Sequence, residues 1–455
     1  MNSNTKKTTT VDMTVGSISK LLIAYAIPLL LGNLFQLLYN TVDVLVVGNF
    51  VGTQALAAVG STTPIINILV SFFNGFSVGA GVVISRYYGA HNEKQMHTAI
   101  ETTMACTFVF GVLFTIIGVS GVPFMLRLMS TPDDVVASAT TYLRIYFSGI
   151  AGLLVYNMGS GILRAVGDTR RPLMFLCFTS VLNIFLDLLF VLAFRLGIAG
   201  VAYATILSQF LSAILILILL SRTSDMYRLV WRELAIDLHI LQQITSIALP
   251  TAIQSTVTCF SNVIVQSYIN SFGSSCMAGW STYIKVDQYM FLPIQSMGQA
   301  VTTFVSQNIG ARNVERAKQG TIQAFRMILS LSVVVSLIIW IGAAPITRAF
   351  SNDAEVLTYS RLFVRMNILF LNLGCIHQIL AGALRGTGDA RAPMIIMISS
   401  FVVFRQIYLY VGSRILHDIH VVGFGYPIGW ILCSILMVSY YRFSHWEEKA
   451  LAQTR

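Results

Sequence analysis

Twelve long apolar stretches dominate this sequence and limit what it can fold into. A stretch of about 20 apolar residues spans the hydrocarbon core of a bilayer as a helix, because a helix satisfies its backbone polar groups internally. Only 11% of the residues are charged, against about 25% in soluble domains, so most of the surface must face lipid. We therefore predict an all-α polytopic membrane protein with twelve transmembrane helices. The predicted spans are 20–48, 55–85, 97–119, 137–163, 172–194, 198–220, 240–271, 277–307, 320–343, 356–384, 393–412 and 420–441.

The distribution of basic residues predicts the orientation in the membrane. Of the 29 Lys and Arg, twenty fall on the side of the two termini and seven on the other side, while Lys285 and Arg405 lie within predicted spans. Short loops rich in Lys and Arg remain in the cytoplasm. We therefore expect a multi-pass protein of the bacterial cytoplasmic (inner) membrane with both termini in the cytoplasm.

The second half of the chain repeats the first at an offset of 221 residues. GILRAVGDTRRP (161–172) matches GALRGTGDARAP (382–393), and YYGAHNEKQ (87–95) matches NIGARNVERA (308–317). Each half holds six spans, an even number, so both halves insert the same way up as parallel repeats. We therefore predict two six-helix lobes with cytoplasmic tails and a cytoplasmic linker. The predicted segments are 1–19 (N-terminal tail), 20–220 (N-terminal lobe), 221–239 (linker), 240–441 (C-terminal lobe) and 442–455 (C-terminal tail).

Three acidic residues, Asp43, Asp187 and Asp287, lie deep in predicted spans. An acid at the centre of a membrane helix costs about 2.5–3.5 kcal/mol on insertion scales, so it should face protein or water and serve a function. The alternative is a structural carboxylate with satisfied hydrogen bonds. We favour function for Asp43 and Asp187. For Asp287 we favour structural neutralisation by Lys285 or Arg405.

Four oxygen-bearing side chains are predicted to meet in the N-terminal lobe. Asn183 lies four residues before Asp187 and shares its helical face. Counted from the outer loops, Asp43, Asp187 and Thr205 lie at similar depths, about 12–15 Å below the outer surface. Carboxylate, amide and hydroxyl oxygens suit a hard cation such as sodium. Two clustered carboxylates also suit a proton, because burial and mutual repulsion favour the protonation of one of them.

Six motifs, three in each half, carry a resemblance to a known family. They are IPLLLGNLFQLLYNTVDVLVVG (27–48), RYYGAHNEKQ (86–95), LRAVGDTRRP (163–172), ALPTAIQSTVTCFSN (248–262), NIGARNVERA (308–317) and LRGTGDARAP (384–393). From Ser19 to about Tyr441 the chain resembles the multidrug and toxic compound extrusion (MATE) transporters, within them the DinF-like branch and its MepA-like bacterial members.

The resemblance implies a secondary active multidrug efflux transporter. Such a protein exports organic cations in exchange for sodium ions or protons by alternating access, without a cofactor. The coupling-ion site that the resemblance implies is Asp43, Asn183, Asp187 and Thr205. At the repeat offset, Phe404 and Tyr408 replace the amide and the second carboxylate, and the seventh span has Gln254 where other members keep an acid. Coupling is therefore expected in the first lobe alone.

Polar and aromatic side chains at membrane depth are candidates for the wall of a substrate cavity. Polar groups avoid lipid, aromatic faces attract organic cations, and 17 methionines can make the wall adaptable. For each residue, packing between helices is an equally good explanation. The candidates are Gln36, Tyr39, Asn40, Asn67, Asn74, Tyr156, Asn157, Gln254, Asn262, Asp287 and Tyr289.

Other functions fit the sequence less well. The main alternative is a lipid-linked oligosaccharide flippase of related architecture, whose cavity would need cationic groups for a pyrophosphate; only Lys285 and Arg405 lie at depth. A membrane enzyme would need a recognisable motif, and neither an HExxH nor a helical His pair occurs. The net charge of +10 comes from basic loops and does not indicate nucleic acid. We expect a monomer whose partners are small organic substrates and the lipid bilayer.

Overall fold

The computed structural model describes residues 11–129, 131–416 and 418–452. Within these ranges the chain is helical and contains no strand, so the predicted all-α fold is confirmed. The outer parts of the predicted tails, 1–10 and 453–455, lie outside the described residues. With them lie three of the basic residues that predict the orientation, Lys6, Lys7 and Arg455.

Seven helices build the six spans of the first half. They are α1 (Ile18–Val46), α2 (Thr53–Gly89), α3 (Glu93–Leu128), α4 (Asp133–Ser148), α5 (Ile150–Ala165), α6 (Arg170–Leu188) and α7 (Ile198–Arg222). α4 and α5 form one span with a bend of 47° at Gly149. Two π-helical turns, Val47–Val51 and Leu189–Ala193, extend α1 and α6.

The second half has the same order of spans, with more breaks. Its helices are α8 (Leu238–Asn270), α9 (Ser274–Gly310), α10 (Val314–Ile341), α11 (Ala343–Arg348), α12 (Ala354–Asn367), α13 (Leu373–Gly386), α14 (Arg391–Ile398), α15 (Arg405–Ile415), α16 (Ile419–Gly423), α17 (Gly425–Phe443) and α18 (Trp446–Ala452). α12 and α13 form one span bent by 41°, and a π-helical segment, Ser399–Phe404, joins α14 to α15.

Nine spans of the described chain are long and apolar enough to cross a membrane, and the two bent pairs raise this number to eleven. The twelfth span is α9, in which Lys285 and Asp287 lower the hydropathy. α9 has 37 residues, as many as α2, its counterpart in the repeat. The architecture is therefore twelve transmembrane helices in two six-helix lobes.

The sequence repeat corresponds to repeated turns at helix ends. Asn92 caps α3 by accepting a hydrogen bond from the backbone N–H three residues later at 3.1 Å, and Asn313 caps α10 in the same way at 3.1 Å. The residue before each cap, His91 or Arg312, has a positive φ of 52° or 58°. Equivalent sequence positions thus perform equivalent local tasks in the two halves.

The chain folds into two compact units. The first comprises residues 11–12 and Leu31–Thr245, and the second comprises Met13–Leu30 and residues 246–452. The first part of α1 therefore belongs to the second unit, where the Tyr25 hydroxyl lies 2.8 Å from the Thr303 hydroxyl. Hydropathy alone assigns the whole of α1 to the first lobe, because it does not identify the neighbours of a helix.

Candidate functional site

Two acids from different helices lie side by side in the first unit. Asp43 projects from α1 and Asp187 from α6. Asp187 is completely buried, and Asn183, one turn earlier on α6, is 1% exposed. α7 contributes the buried Thr205, which lies beside Tyr39 of α1, and Tyr39 in turn lies beside Asp43. The structure thus places Asp187 beside Asp43, and Asp43 and Thr205 beside Tyr39, with Asn183 on the face of α6 that carries Asp187.

Burial leaves polar atoms of these residues without partners. Among the described residues, no hydrogen-bond donor reaches either carboxylate oxygen of Asp187 or Oδ1 of Asp43, and neither polar atom of the Asn183 amide is paired. Two ionised carboxylates repel each other and can only accept hydrogen bonds, so they cannot satisfy one another. A proton shared between them, or a cation bound to their oxygens, relieves both the repulsion and the missing hydrogen bonds.

The donor set fits a small hard cation or a proton. The Thr205 hydroxyl donates to the carbonyl oxygen of Val201 at 3.0 Å, which leaves its oxygen lone pairs available to a ligand. Carboxylate, amide and hydroxyl oxygens are the ligands of hard cations. In the described part of the chain, His, Cys, Asp and Glu form no group of three or more suited to a metal ion.

Each acid is followed by a π-helical turn on the side of the membrane away from the termini. The turn Val47–Val51 begins four residues after Asp43, and the turn Leu189–Ala193 begins two residues after Asp187. The two turns pack on each other and take part in a cluster of apolar side chains. π-helical turns are frequent at functional sites. The apolar cluster lies between the acids and the ends of α1 and α6 that face away from the termini.

Sequence reasoning missed three side chains near the acids. Tyr142 and Tyr146 of α4 are 7% and 5% exposed, with ring centroids 6.3 Å apart, and Tyr142 lies within electrostatic range of both acids. Gln209 of α7 lies beside Tyr146. The spacing of the two tyrosines, one turn apart in the fourth span, was the available signal. It did not distinguish them from ordinary core aromatics.

Four of the predicted cavity residues are exposed on two helices of the first unit. Gln36 and Asn40 lie one turn apart on α1, and Asn67 and Asn74 lie two turns apart on α2. All four are exposed although they lie at membrane depth. Polar groups at this depth avoid lipid, so each of these helix faces can border a water-filled space.

Two other candidates of the first unit instead hold helices together. The Tyr156 hydroxyl donates to the carbonyl oxygen of Pro172 at 3.1 Å and so links α5 to the start of α6. The Asn157 amide donates to the carbonyl oxygen of Leu153 at 2.9 Å, and its own backbone carbonyl accepts from the Ser77 hydroxyl at 3.0 Å. Both side chains thus donate to backbone carbonyl oxygens, that of Tyr156 to the next helix and that of Asn157 within its own helix.

In the second unit, two candidates are bound by arginines. Arg385 donates to Oε1 of Gln254 at 2.9 Å. Arg405 donates to Oδ1 of Asn262 at 2.9 Å and stacks on the ring of Tyr426, with its guanidinium carbon 4.7 Å from the ring centroid. The Gln254 oxygen is therefore already engaged by a cationic side chain.

Asp287 is not neutralised as the sequence suggested. Within the described residues it forms no ion pair with Lys285 or Arg405, and its carboxylate accepts from the Tyr283 hydroxyl at 3.2 Å. Lys285 is exposed, and its flexible side chain places Nζ 5.8 Å from the centroid of the Phe350 ring. The expected ion pair at Asp287 was wrong.

α9 has an exposed polar face of its own. Gln288 and Gln295 stand at the repeat positions of the α2 asparagines, and both are exposed. Lys285 lies on the same face, one turn before Gln288, and the predicted cavity residue Tyr289 is 46% exposed. The two halves therefore expose polar residues at equivalent positions, and the second half adds a positive charge.

Comparison with known proteins supports the family that the motifs indicated. The MatE family model matches twice, over residues 28–189 and 250–411, once in each half. A probable multidrug resistance protein of Bacillus subtilis, YoeA, is 28% identical over 437 residues, which cover 94% of each chain. An FAD transporter of Shewanella oneidensis is 24% identical over 361 residues, 76% of this chain and 77% of that protein.

The fold also matches a solved structure. An outward-facing multidrug resistance MATE family transporter of the MOP superfamily superposes with a TM-score of 0.91 at 24% identity, covering 98% of this chain and all of the other. These similarities identify a membrane transporter, so the expectation that the chain is not an enzyme is confirmed. The chain belongs to the MatE family, the multidrug and toxic compound extrusion transporters of bacteria.

Proposed function

We propose that this transporter exports small organic cations in exchange for sodium ions or protons by alternating access, with Asp43 and Asp187 as the coupling acids. The observation that carries the proposal is the pair of adjacent carboxylates, Asp187 buried and Asp43 half-buried, whose buried oxygens have no partner among the described residues. Such a pair has a strong affinity for positive charge, because the low dielectric of the membrane interior strengthens electrostatic attraction. Asn183 and Thr205 add neutral oxygens that favour a sodium ion.

Competition between the coupling ion and the organic cation for the two acids is sufficient for exchange. A coupling ion that binds the acids lowers the affinity for an organic cation, and by thermodynamic reciprocity the organic cation lowers the affinity for the coupling ion. The competition can be direct or can act through the conformational state that each ligand prefers. No covalent step is needed.

The free energy of the coupling ion limits the stoichiometry. One sodium ion moving inward down about 100 mV and a tenfold gradient releases about 3.7 kcal/mol. One-for-one exchange with a monovalent organic cation cancels the electrical part and leaves about tenfold accumulation. Stronger extrusion of such a substrate therefore requires more than one coupling ion per cycle, and two adjacent acids can bind more than one proton.

The comparisons do not favour the flippase alternative, since the named relatives are a multidrug resistance protein and an FAD transporter. Because one relative is an FAD transporter, the charge of the substrate has to be tested. Ethidium and FAD should therefore be compared in the same assay, and we expect ethidium to be the better ligand of this chain.

An equilibrium competition experiment tests the proposal. Ethidium binding to the purified protein is followed by fluorescence anisotropy while sodium replaces potassium at constant ionic strength, and separately while the pH is lowered. We expect at least one of the two ions to displace the dye from the wild type. In Asp187→Asn the displacement should be lost.

Asp287→Asn is the matched control, because it removes a membrane-embedded carboxylate from the second unit. We expect it to retain ion-dependent displacement, whatever its effect on dye affinity. Dye binding to the wild type that is insensitive to both ions would contradict the proposal. So would normal displacement in Asp187→Asn.

A further inference from the structure

A cavity of about 600 Å³ lies in the second unit, on the side of the membrane that carries the chain termini. Its wall comes from Ser246 of α8, the loop between α13 and α14, the beginning of α14, the end of α17 and the short helix α18. The side chains that give it chemical character are Asp389, Arg391, Ile395, Tyr440, Trp446 and Lys449. The cavity is separate from the acids of the first unit.

The cavity wall carries a surplus of positive charge. Arg391 and Lys449 are exposed, and neither forms an ion pair with another described residue. The one acid in the wall, Asp389, is already engaged: Oδ1 accepts from the backbone N–H of Ala392 at 3.2 Å, and Oδ2 accepts from the Tyr440 hydroxyl at 2.7 Å. The two cations therefore remain available to a ligand.

α18 is fixed against the unit, which holds Lys449 at the cavity. Trp446 at its start is 4% exposed and packs on Tyr441 with ring centroids 5.2 Å apart. Nζ of Lys318 on α10 lies 2.7 Å from Oε1 of Glu447. Lys449 follows Trp446 by three residues and so lies on the same side of α18.

In the first unit, side chains of the protein occupy the space beside the equivalent loop. There Asp168 pairs with Arg171 at 3.3 Å, and Arg171 donates to the hydroxyl of the fully buried Tyr227 at 2.9 Å. At the position of Arg171 the second half has Ala392. The second half thus lacks the guanidinium that fills this place in the first half, and its cavity adjoins this loop.

We propose that this cavity binds the phosphate group of an anionic membrane lipid. Ile395, which lines the cavity, is 58% exposed on a membrane-spanning helix. Its apolar side chain can contact the acyl chains of a bound lipid where they enter the bilayer. The guanidinium of Arg391 can bind a phosphate through two hydrogen bonds, and Lys449 adds a second charge. Basic pockets between transmembrane helices on the cytoplasmic side bind lipid headgroups in this way.

The test is lipid binding to the purified full-length protein. Thermal unfolding in detergent is measured while short-chain phosphatidylglycerol or phosphatidylcholine with the same acyl chains is added, since a ligand of the folded state raises the midpoint. We expect phosphatidylglycerol to bind more tightly. Arg391→Gln and Lys449→Gln should each weaken its binding about fivefold, and the double variant about thirtyfold.

Arg170→Gln is the matched control, because Arg170 is the exposed counterpart of Arg391 at the start of α6. We expect it to bind phosphatidylglycerol like the wild type. A second arm replaces the lipid with glycerol phosphate, which should bind far more weakly because it lacks acyl chains. Equal binding of the two phospholipids, equal loss in Arg170→Gln, or glycerol phosphate binding as tightly as the lipid would each overturn the proposal.

Discussion

At the scale of single residues, substitution of Thr205 tests whether the proposed site binds sodium or protons. A sodium ion needs several oxygen ligands, whereas a proton needs only a carboxylate. We predict that Thr205→Val raises the sodium concentration for half-maximal efflux about tenfold, the effect of losing roughly 1.4 kcal/mol of binding. Proton-driven efflux should be unchanged. The measurement is the ion dependence of dye efflux in proteoliposomes.

Thr205→Ser is the control for packing. Serine keeps the oxygen and the hydrogen bond to Val201 but removes a methyl group. We expect near wild-type sodium dependence from this variant. If it behaves like Thr205→Val, the hydroxyl is not the group that matters.

The positions of the acids were predictable, but part of their surroundings was not. Depth along a span follows from counting residues, which is why Asp43 and Asp187 were expected to meet. The tyrosines Tyr142 and Tyr146 were not predicted, because hydropathy does not show which face of α4 points toward α1. The absence of an ion pair at Asp287 was also not predicted, since the direction of the flexible Lys285 side chain depends on its tertiary neighbours.

At the scale of helices, close approach of α3 to α4 depends on a glycine. A Cβ atom at Gly118 would overlap the ring of Phe147, a fully packed residue at 1% exposure. Overpacking of this kind costs about 1–3 kcal/mol. We predict that Gly118→Ala lowers the unfolding midpoint measured in detergent.

Gly60→Ala provides the comparison on a neighbouring helix. A Cβ at Gly60 of α2 meets no atom within 4 Å, and alanine stabilises a helix by up to about 1 kcal/mol relative to glycine. The midpoint of this variant should be unchanged or higher. Equal destabilisation by both substitutions would show that close packing at Gly118 is not the cause.

The sequence predicted the helices themselves but not their irregularities. Apolar length predicted twelve spans because the bilayer sets a minimum length for each. A π-helical turn such as Val47–Val51 adds one residue to a turn and leaves the mean hydropathy unchanged, so no pattern revealed it. Hydropathy likewise did not reveal the bend of 41° between α12 and α13.

At the scale of the whole molecule, the basic loops predict the orientation of the chain. We expect Asn352→Cys, in an exposed loop after α11, to react with a membrane-impermeant maleimide in intact cells. Ser224→Cys, in the exposed linker after α7, should react only after lysis. Four of the six native cysteines are buried and the other two are half-buried, so we expect a low background. Labelling of both sites from outside, or the reverse pattern, would contradict cytoplasmic termini.

The repeat explains why so much of the structure was predictable from one sequence. Equivalent caps such as Asn92 and Asn313 recur because both halves must make the same turns. The halves differ where function is expected: the first keeps Asp187 where the second has Tyr408. The membership of the first part of α1 in the second unit was not predictable, since it depends on contacts between residues distant in sequence.

The most direct test of the central claim is ethidium transport in proteoliposomes, with a sodium gradient or a proton gradient imposed separately on the wild type and on Asp187→Asn. We predict that at least one gradient drives transport in the wild type and that neither does in the variant, which would also identify the coupling ion. If neither gradient moves the dye in folded wild-type protein, cation-coupled efflux is contradicted. If gradient-driven transport survives in Asp187→Asn, the function stands but the coupling acids proposed here do not.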